Sequence, residues 1–182
     1  MKKAGIFFGK GYEEIEALTV VDLLRRAGIE IECVAIDNNS TVTGSHGITV
    51  EMNKAIKDAD FDSYDILICP GGLAGVDNLE ACTMLTDKLK EFYDSGKLIA
   101  AICAAPRIFG HLGFVEGRKA CIYPGMEDEL KGAQVVFDKV SHDGNVITSR
   151  GMGTSIDFGL EIVATLTDRP TADALGKKIV YL

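Results

Sequence analysis

The segment 98-LIAAICAAPRIFGHLG-113 joins a continuous apolar run to a stretch with helical character. A short apolar run without alternation is typical of a strand in a sheet that is covered on both faces. Pro106 suits the first turn of a helix, where its missing N–H leaves no intrahelical bond unmade. The segment therefore predicts a buried strand over residues 98–103 that ends at Cys103 and passes directly into a helix.

The rest of the chain repeats this alternation. Further apolar runs predict strands, and the segments between them predict helices at residues 12–27 and 83–94, each followed by a glycine, Gly28 or Gly96, suited to a helix C-terminus. The additional strands are expected at residues 4–8, 29–36 and 65–69. Strands that alternate with helices indicate an α/β fold with a parallel, doubly wound sheet and right-handed crossovers.

Two segments depart from the alternation. Residues 41–52 predict an antiparallel excursion, and residues 134–149 predict a hairpin around the turn sequence His-Asp-Gly-Asn at 142–145. Closing helices are expected at residues 154–166 and 171–180. Because no repeat, linker or low-complexity tract interrupts the pattern, we expect a single domain over residues 1–182.

Composition limits the classes of function and the cellular location that the chain is expected to have. The chain has 182 residues and a net charge of −8, which disfavours a nucleic-acid or anionic-membrane partner. Its 5 cysteines form no C-x-x-C pair, and no cluster has metal-ligand spacing, so we expect a reducing compartment and no metal site. No apolar run approaches the ~18 residues of a membrane span. We expect a cytoplasmic protein.

Cys103 is the first candidate for chemistry. A side chain between a strand and a helix lies above the carboxyl edge of the sheet, where the helix N-terminus favours the thiolate, the nucleophilic form of cysteine. The alternative is a structural cysteine that closes its strand.

The sequence Cys-Pro-Gly-Gly at 69–72 follows another buried strand. The amides of Gly72 and Ala104 could form an oxyanion hole, with Gly71 allowing close approach. The alternative there is a plain turn.

Glu16 is the second candidate. It shares one face of the predicted first helix with the apolar residues Val20, Leu23 and Ala27. Burial would raise its pKa and favour a protonated carboxyl that can donate to a thiolate. Glu13 competes for this role, although a first-turn acid that complements the helix dipole explains it better, and Glu14 is expected to point into solvent. Among the histidines, only His46, between two glycines, is a candidate for lining a site.

Four segments in order resemble the ThiJ/PfpI superfamily, in particular the branch of the Parkinson-associated proteins and their bacterial relatives. They are GYEEIEALTVVDLLRRAGI, ICPGG, LIAAICAAP and ITSRGMGTSIDF, and the resemblance spans nearly the whole chain. It implies a flavodoxin-like, class I glutamine amidotransferase-like three-layer sandwich that forms a homodimer and needs no cofactor.

The resemblance also implies roles. The reactive cysteine of the family falls on Cys103, its partner carboxyl on Glu16, and its oxyanion-type amides on Gly72 and Ala104. Members are associated with glyoxalase or deglycase activity on small carbonyl compounds such as methylglyoxal, with oxidation of the cysteine, and in some cases with chaperone activity.

This chain departs from the family at three positions. Ala104 stands where the protease-like branch has a histidine, which removes the general base of a peptidase. Tyr123 stands where the human-type branch has a histidine, and a tyrosine is a poor base at neutral pH. His46 aligns with an arginine at the edge of the site. The leading hypothesis is a glyoxalase- or deglycase-like enzyme; the alternatives are a redox-sensing stress protein and a non-catalytic chaperone-like dimer.

Overall fold

The computed structural model describes residues 2–182. Its strands are β1 Lys3–Phe8, β2 Glu30–Ala35, β3 Thr41–Thr43, β4 Thr49–Glu51, β5 Lys54–Ala55, β6 Ile66–Cys69, β7 Leu98–Ile102, β8 Lys119–Ala120, β9 Gln134–Val135, β10 Val140–Asp143 and β11 Val146–Ser149. Its α-helices are α1 Glu14–Arg26, α2 Leu73–Ala81, α3 Thr83–Asp94, α4 Pro106–His111, α5 Ser155–Leu166 and α6 Arg169–Lys178.

A central sheet has the strand order β10-β11-β7-β6-β1-β2-β5. Every neighbouring pair is parallel except β10 with β11, which are antiparallel. The four strands expected from the apolar runs are β1, β2, β6 and β7, and they lie side by side. The prediction of a mostly parallel sheet is therefore confirmed.

Two hydrophobic cores lie on opposite faces of this sheet. One is formed with α1, α5 and α6, and the other with α2, α3 and α4. In β1, Phe7 is buried in the second core and Phe8 in the first, and burying each such side chain contributes about 1.5–3 kcal/mol. Because both faces are covered, the strand reads as a continuous apolar run. The arrangement is the expected flavodoxin-like three-layer sandwich.

Several local predictions hold. Gly28 and Gly96 follow α1 and α3 with φ of 74° and 76°, the left-handed conformation that glycine adopts without steric cost. The segment expected to leave the main sheet forms the antiparallel pair β3–β4. Among the described residues, no helix is long and apolar enough to cross a membrane.

Three predictions need correction. Helix α2 was not expected. It is only 9 residues long and buries only three residues, Gly75, Val76 and Leu79, so its apolar pattern is weak. The hairpin is shorter than expected, since β10 and β11 pair over Val140–Asp143 and Val146–Ser149. The preceding β9 instead pairs in parallel with β8 in a separate small sheet. The third correction concerns Glu14 and is described with the site.

Candidate functional site

Cys103 occupies a sharp turn between β7 and α4. Its φ is 66°, a left-handed conformation that costs a residue with a side chain roughly 1–2 kcal/mol. Its N–H donates to the Ser149 carbonyl at 3.0 Å, and its carbonyl accepts from the Tyr123 N–H at 2.9 Å. These two bonds hold the strained residue in place. The predicted elbow is present, although the strand ends at Ile102, one residue earlier than expected.

Glu16 lies in the first turn of α1 and reaches the carboxyl edge of the sheet. It is 1% exposed. Its Oε2 accepts a hydrogen bond from the Gly71 N–H at 3.0 Å, and its carboxyl lies beside the Cys103 thiol, whose pKa it raises. The structure thus brings the predicted carboxyl and the predicted cysteine into direct contact.

Gly71 makes this contact possible. A Cβ on Gly71 would lie 2.5 Å from the Cβ of Cys103 and would also overlap Oε2 of Glu16. Any other residue at this position would force the cysteine and the carboxyl apart. The sequence predicted a glycine that permits close approach, and the structure shows that the approaching groups are the two reactive side chains themselves.

The amides of Gly72 and Ala104 lie close to the Cys103 sulfur. Both lower the pKa of the thiol. Gly72 has a φ of 87° and directly precedes α2, while Ala104 lies just before α4. Backbone N–H groups in such positions have no intrahelical acceptor and are free to bind an anion. The two predicted oxyanion donors therefore surround the sulfur.

Burial dominates the protonation of the pair. It raises the pKa of Glu16 to about 7; the charge of Glu13 adds to this, and the bonds from Cys103 and Gly71 oppose it. Burial, together with the charge and hydrogen bond of Glu16, raises the pKa of the Cys103 thiol to about 12 against the amides of Gly72 and Ala104. Burial of Cys103 therefore opposes the thiolate that the amide dipoles favour, and the thiolate stays a prediction. Because the two groups affect each other's pKa, Cys103 and Glu16 titrate as a coupled pair.

A cleft of about 490 Å³ opens over this pair. Tyr123 is half exposed and lines its wall, and the imidazole of His46 lies at its rim with 71% of the side chain exposed. Arg150 also lines the cleft. Sequence reasoning missed this arginine, although its place directly after β11, at the same edge of the sheet, would have been a usable signal.

Glu14 is not solvated as expected. It is 3% exposed, and its Oε1 accepts from the His46 backbone N–H at 2.7 Å. Burial alone would raise its pKa, but the hydrogen bonds that it accepts, including those from His46 and Ile48, lower the pKa to about 2. Glu14 thus fastens the loop between β3 and β4 to the start of α1. Glu13 borders the cleft, with its side chain 16% exposed.

Fold and site together define an α/β-sandwich protein with a cysteine on a strand-to-helix elbow and a buried carboxyl as its partner. The DJ-1/PfpI family profile matches residues 2–165. The chain belongs to the DJ-1/PfpI family.

Several relatives cover the chain almost completely. Protein DJ-1 homolog B of Arabidopsis thaliana is 35% identical over 98% of this chain, which spans 41% of the plant protein. The glutathione-independent glyoxalase DJR-1.2 of Caenorhabditis elegans is 34% identical over 92% of this chain and 89% of its own length. The solved structure of oxidized Toxoplasma gondii DJ-1 is 31% identical, with a TM-score of 0.95 over 100% of this chain and 99% of that chain.

Proposed function

We propose that this protein is a cofactor-independent cysteine enzyme of the glyoxalase or deglycase type that acts on small α-oxoaldehydes such as methylglyoxal. The observation that carries the proposal is the contact between Cys103 and the ionisable Glu16 beneath an open cleft, with two amides directed at the sulfur. The worm relative, named a glutathione-independent glyoxalase, supports an activity of this class.

The first step uses the proximity of Cys103 and Glu16. As the Cys103 sulfur bonds to the aldehyde carbon, the carbonyl π bond breaks and the thiol proton passes to the Glu16 carboxylate. The amides of Gly72 and Ala104 then stabilise the oxygen that has become an anion. Return of the proton from Glu16 to this oxygen gives a neutral hemithioacetal and regenerates the carboxylate.

Lactate formation requires no external oxidant. Glu16 would remove the C1 proton of the hemithioacetal and return it to C2, while the hydroxyl proton on the C1 oxygen passes to the C2 oxygen. C1 is thereby oxidised to a thioester and the neighbouring carbonyl is reduced to an alcohol. Water then cleaves the thioester, which releases the acid and restores the Cys103 thiol. Tyr123 would act as a hydrogen-bond donor to the substrate rather than as a base.

Lactate production from methylglyoxal by the untagged full chain tests the proposal. We expect turnover in the wild type and loss to the level of the blank in Cys103→Ala. Cys82→Ala is a matched control, because Cys82 is the other cysteine that is only partly buried. Turnover that survives in Cys103→Ala would refute the proposal.

A second role, oxidation sensing at Cys103, is supported by a separate observation. The closely similar Toxoplasma gondii structure is described as oxidized. In this chain the cleft gives peroxide access to Cys103, and the Gly72 and Ala104 amides could bind the oxygens of a sulfinate. Peptide mass spectrometry after mild peroxide treatment should find a two-oxygen gain at Cys103 before any gain at Cys82; the reverse order would contradict this role.

We further propose a homodimer, as family resemblance implies. Ile15 on α1 and Ile48 in the β3–β4 loop are 50% and 52% exposed, and both flank the buried Glu14 region. Light scattering should give twice the chain mass, and Ile15→Lys should shift the protein toward monomer. A monomeric wild type would contradict the proposal.

A further inference from the structure

Four polar side chains converge at the rim of the cleft, where the start of α1 meets the β3–β4 loop. The Ser45 hydroxyl lies 3.1 Å from Oε2 of Glu13, 3.1 Å from Oε2 of Glu14 and 3.0 Å from Nδ1 of His46. The imidazole Nδ1 lies 3.1 Å from Glu14 Oε2 and 3.7 Å from Glu13 Oε2. Two carboxylates, an imidazole and a hydroxyl therefore face one point.

These separations match the edges of a coordination tetrahedron. Zinc binds nitrogen and oxygen ligands at about 2.0–2.2 Å, so two ligands of a tetrahedral ion lie about 3.4 Å apart. The ligand atoms of Glu13, Glu14 and His46 all lie within 4.8 Å of one another. Small side-chain adjustments would bring the three atoms to bonding distance of a single ion, with a fourth position open to water.

The carboxylate of Glu14, the buried member of the cluster, is held in place by the fold. Oε1 of Glu14 is occupied by the His46 backbone N–H, which leaves Oε2 directed into the cluster. The carboxyl also rests against Gly44, where any Cβ would overlap it. A ligand that is already oriented in this way binds an ion with less loss of side-chain entropy.

The charge of the cluster favours a cation. Within residues 2–182, neither Glu13 nor Glu14 forms an ion pair with a lysine or arginine, and His46 is their only cationic partner. The positive end of α1 opposes a bound cation, but at a fraction of one charge against two carboxylates. In the single chain the His46 side chain is 71% exposed, so an ion can reach it from solvent without any rearrangement of the fold.

The same residue types elsewhere in the chain show that composition alone does not make such a site. His111 also contacts two carboxylates, but Glu80 binds its Nδ1 at 2.5 Å and Glu129 binds its Nε2 at 2.7 Å. These oxygens lie on opposite edges of the ring and cannot share an ion with one nitrogen. In the Glu13–Glu14–His46 cluster, both carboxylates face the same nitrogen.

We propose that Glu13, Glu14 and His46 form a binding site for one zinc-class divalent ion at the rim of the Cys103 cleft, with Ser45 beside the open coordination position. Three protein ligands and one open position are typical of zinc sites that bind an exchangeable molecule. The sequence predicted no metal site, because His46 is 32 residues from Glu14 and meets the two glutamates only in the folded chain.

Zinc titration of the untagged full chain by calorimetry tests this site. The titration is done in the Cys103→Ala background, so that binding to the cleft thiol does not contribute and the result is independent of the proposed enzyme activity. We expect one ion per chain, with affinity reduced at least about tenfold, or about 1.4 kcal/mol, by His46→Ala and by Glu13→Gln. The His46 side chain is exposed and that of Glu13 is partly exposed, and circular dichroism should show that both variants remain folded.

His142→Ala is the matched control, because His142 is a partly exposed histidine paired with a carboxylate, that of Glu161 at 3.0 Å. The zinc affinity of the His142→Ala variant should equal that of the Cys103→Ala parent. The visible absorption of bound cobalt(II) should likewise disappear in His46→Ala and persist in His142→Ala. The proposal is overturned if the parent shows no saturable binding, if His46→Ala binds zinc as tightly as the parent, or if His142→Ala is equally impaired.

Discussion

Glu14 and Glu16 lie two residues apart on α1, are both almost fully buried, and have pKa values shifted in opposite directions. On the side of the β3–β4 loop, the pKa of Glu14 falls to about 2, because backbone and side-chain donors bind its carboxylate. On the side of the sheet, burial raises the pKa of Glu16 to about 7. At Glu14 the hydrogen-bond donors outweigh burial, whereas at Glu16 burial outweighs the donors.

This difference separates a structural acid from a reactive one. A carboxylate that stays ionised under all ordinary conditions can hold a loop or a cation, but it exchanges its proton too rarely to act as a base. A carboxyl that titrates near neutrality can accept and return the thiol proton. The two roles therefore fall on neighbouring residues of one helix.

The largest expected effect is on activity. Glu16→Gln removes the proton acceptor and should lower kcat/KM for methylglyoxal by about 10²–10⁴-fold, the usual contribution of general acid–base catalysis. Glu14→Gln should lower it by less than about tenfold, because Glu14 does not contact Cys103. Steady-state kinetics of the two variants make the comparison, and equal losses would mean that the two acids do not differ in role.

Gly71→Ala tests whether Cys103 and Glu16 pack against Gly71 as closely as the contacts indicate. The added methyl would force Cys103 and Glu16 apart, so we expect a loss of about 1–3 kcal/mol in the free energy of unfolding together with a loss of turnover. Gly153→Ala is the matched control, because it is near the cleft and a Cβ there would have no neighbour within 4 Å. Urea denaturation measures both, and a Gly71→Ala protein as stable as Gly153→Ala would contradict the close packing.

On the loop side, Glu14→Gln should reduce stability by about 1–2 kcal/mol at neutral pH, since hydrogen bonds to a charged acceptor are stronger than those to a neutral one. The change should also increase hydrogen exchange at the amides of His46 and Ile48. Glu51→Gln, on an exposed position of β4, serves as the control. An unchanged unfolding midpoint would show that Glu14 does not fasten the loop.

The pH dependences of stability should have opposite signs on the two sides of α1. Because the pKa of Glu14 is depressed from 4.5 to about 2, its stabilisation is complete above about pH 4.5 and is lost as pH falls toward 2. Because the pKa of Glu16 is raised from 4.5 to about 7, the native state keeps a proton that the unfolded chain loses, and stability decreases as pH rises from 4.5 to 7.

Unfolding free energies of wild type, Glu14→Gln and Glu16→Gln across pH 2–8 measure these slopes. The advantage of wild type over Glu14→Gln should grow with pH below about 4.5, and its advantage over Glu16→Gln should shrink between about 4.5 and 7. Slopes of the same sign would show that the two environments do not differ.

Local sequence determined much of this protein. The apolar runs predicted the four central strands because a strand buried on both faces needs apolar side chains at every position. The same reasoning placed Cys103 at an elbow, Glu16 on the buried face of α1, and glycines where the backbone approaches closely. All of these depend on residues near one another in the chain.

Only the tertiary structure decided the charge of these groups and the identity of their neighbours. Burial of Cys103 opposed the thiolate that the helix N-terminus favoured, and the amide of His46 kept Glu14 ionised although it is buried. The convergence of Glu13, Glu14 and His46 likewise requires the β3–β4 loop to fold back on α1. Desolvation and long-range contacts set these properties, and neither can be read from residue type or local spacing.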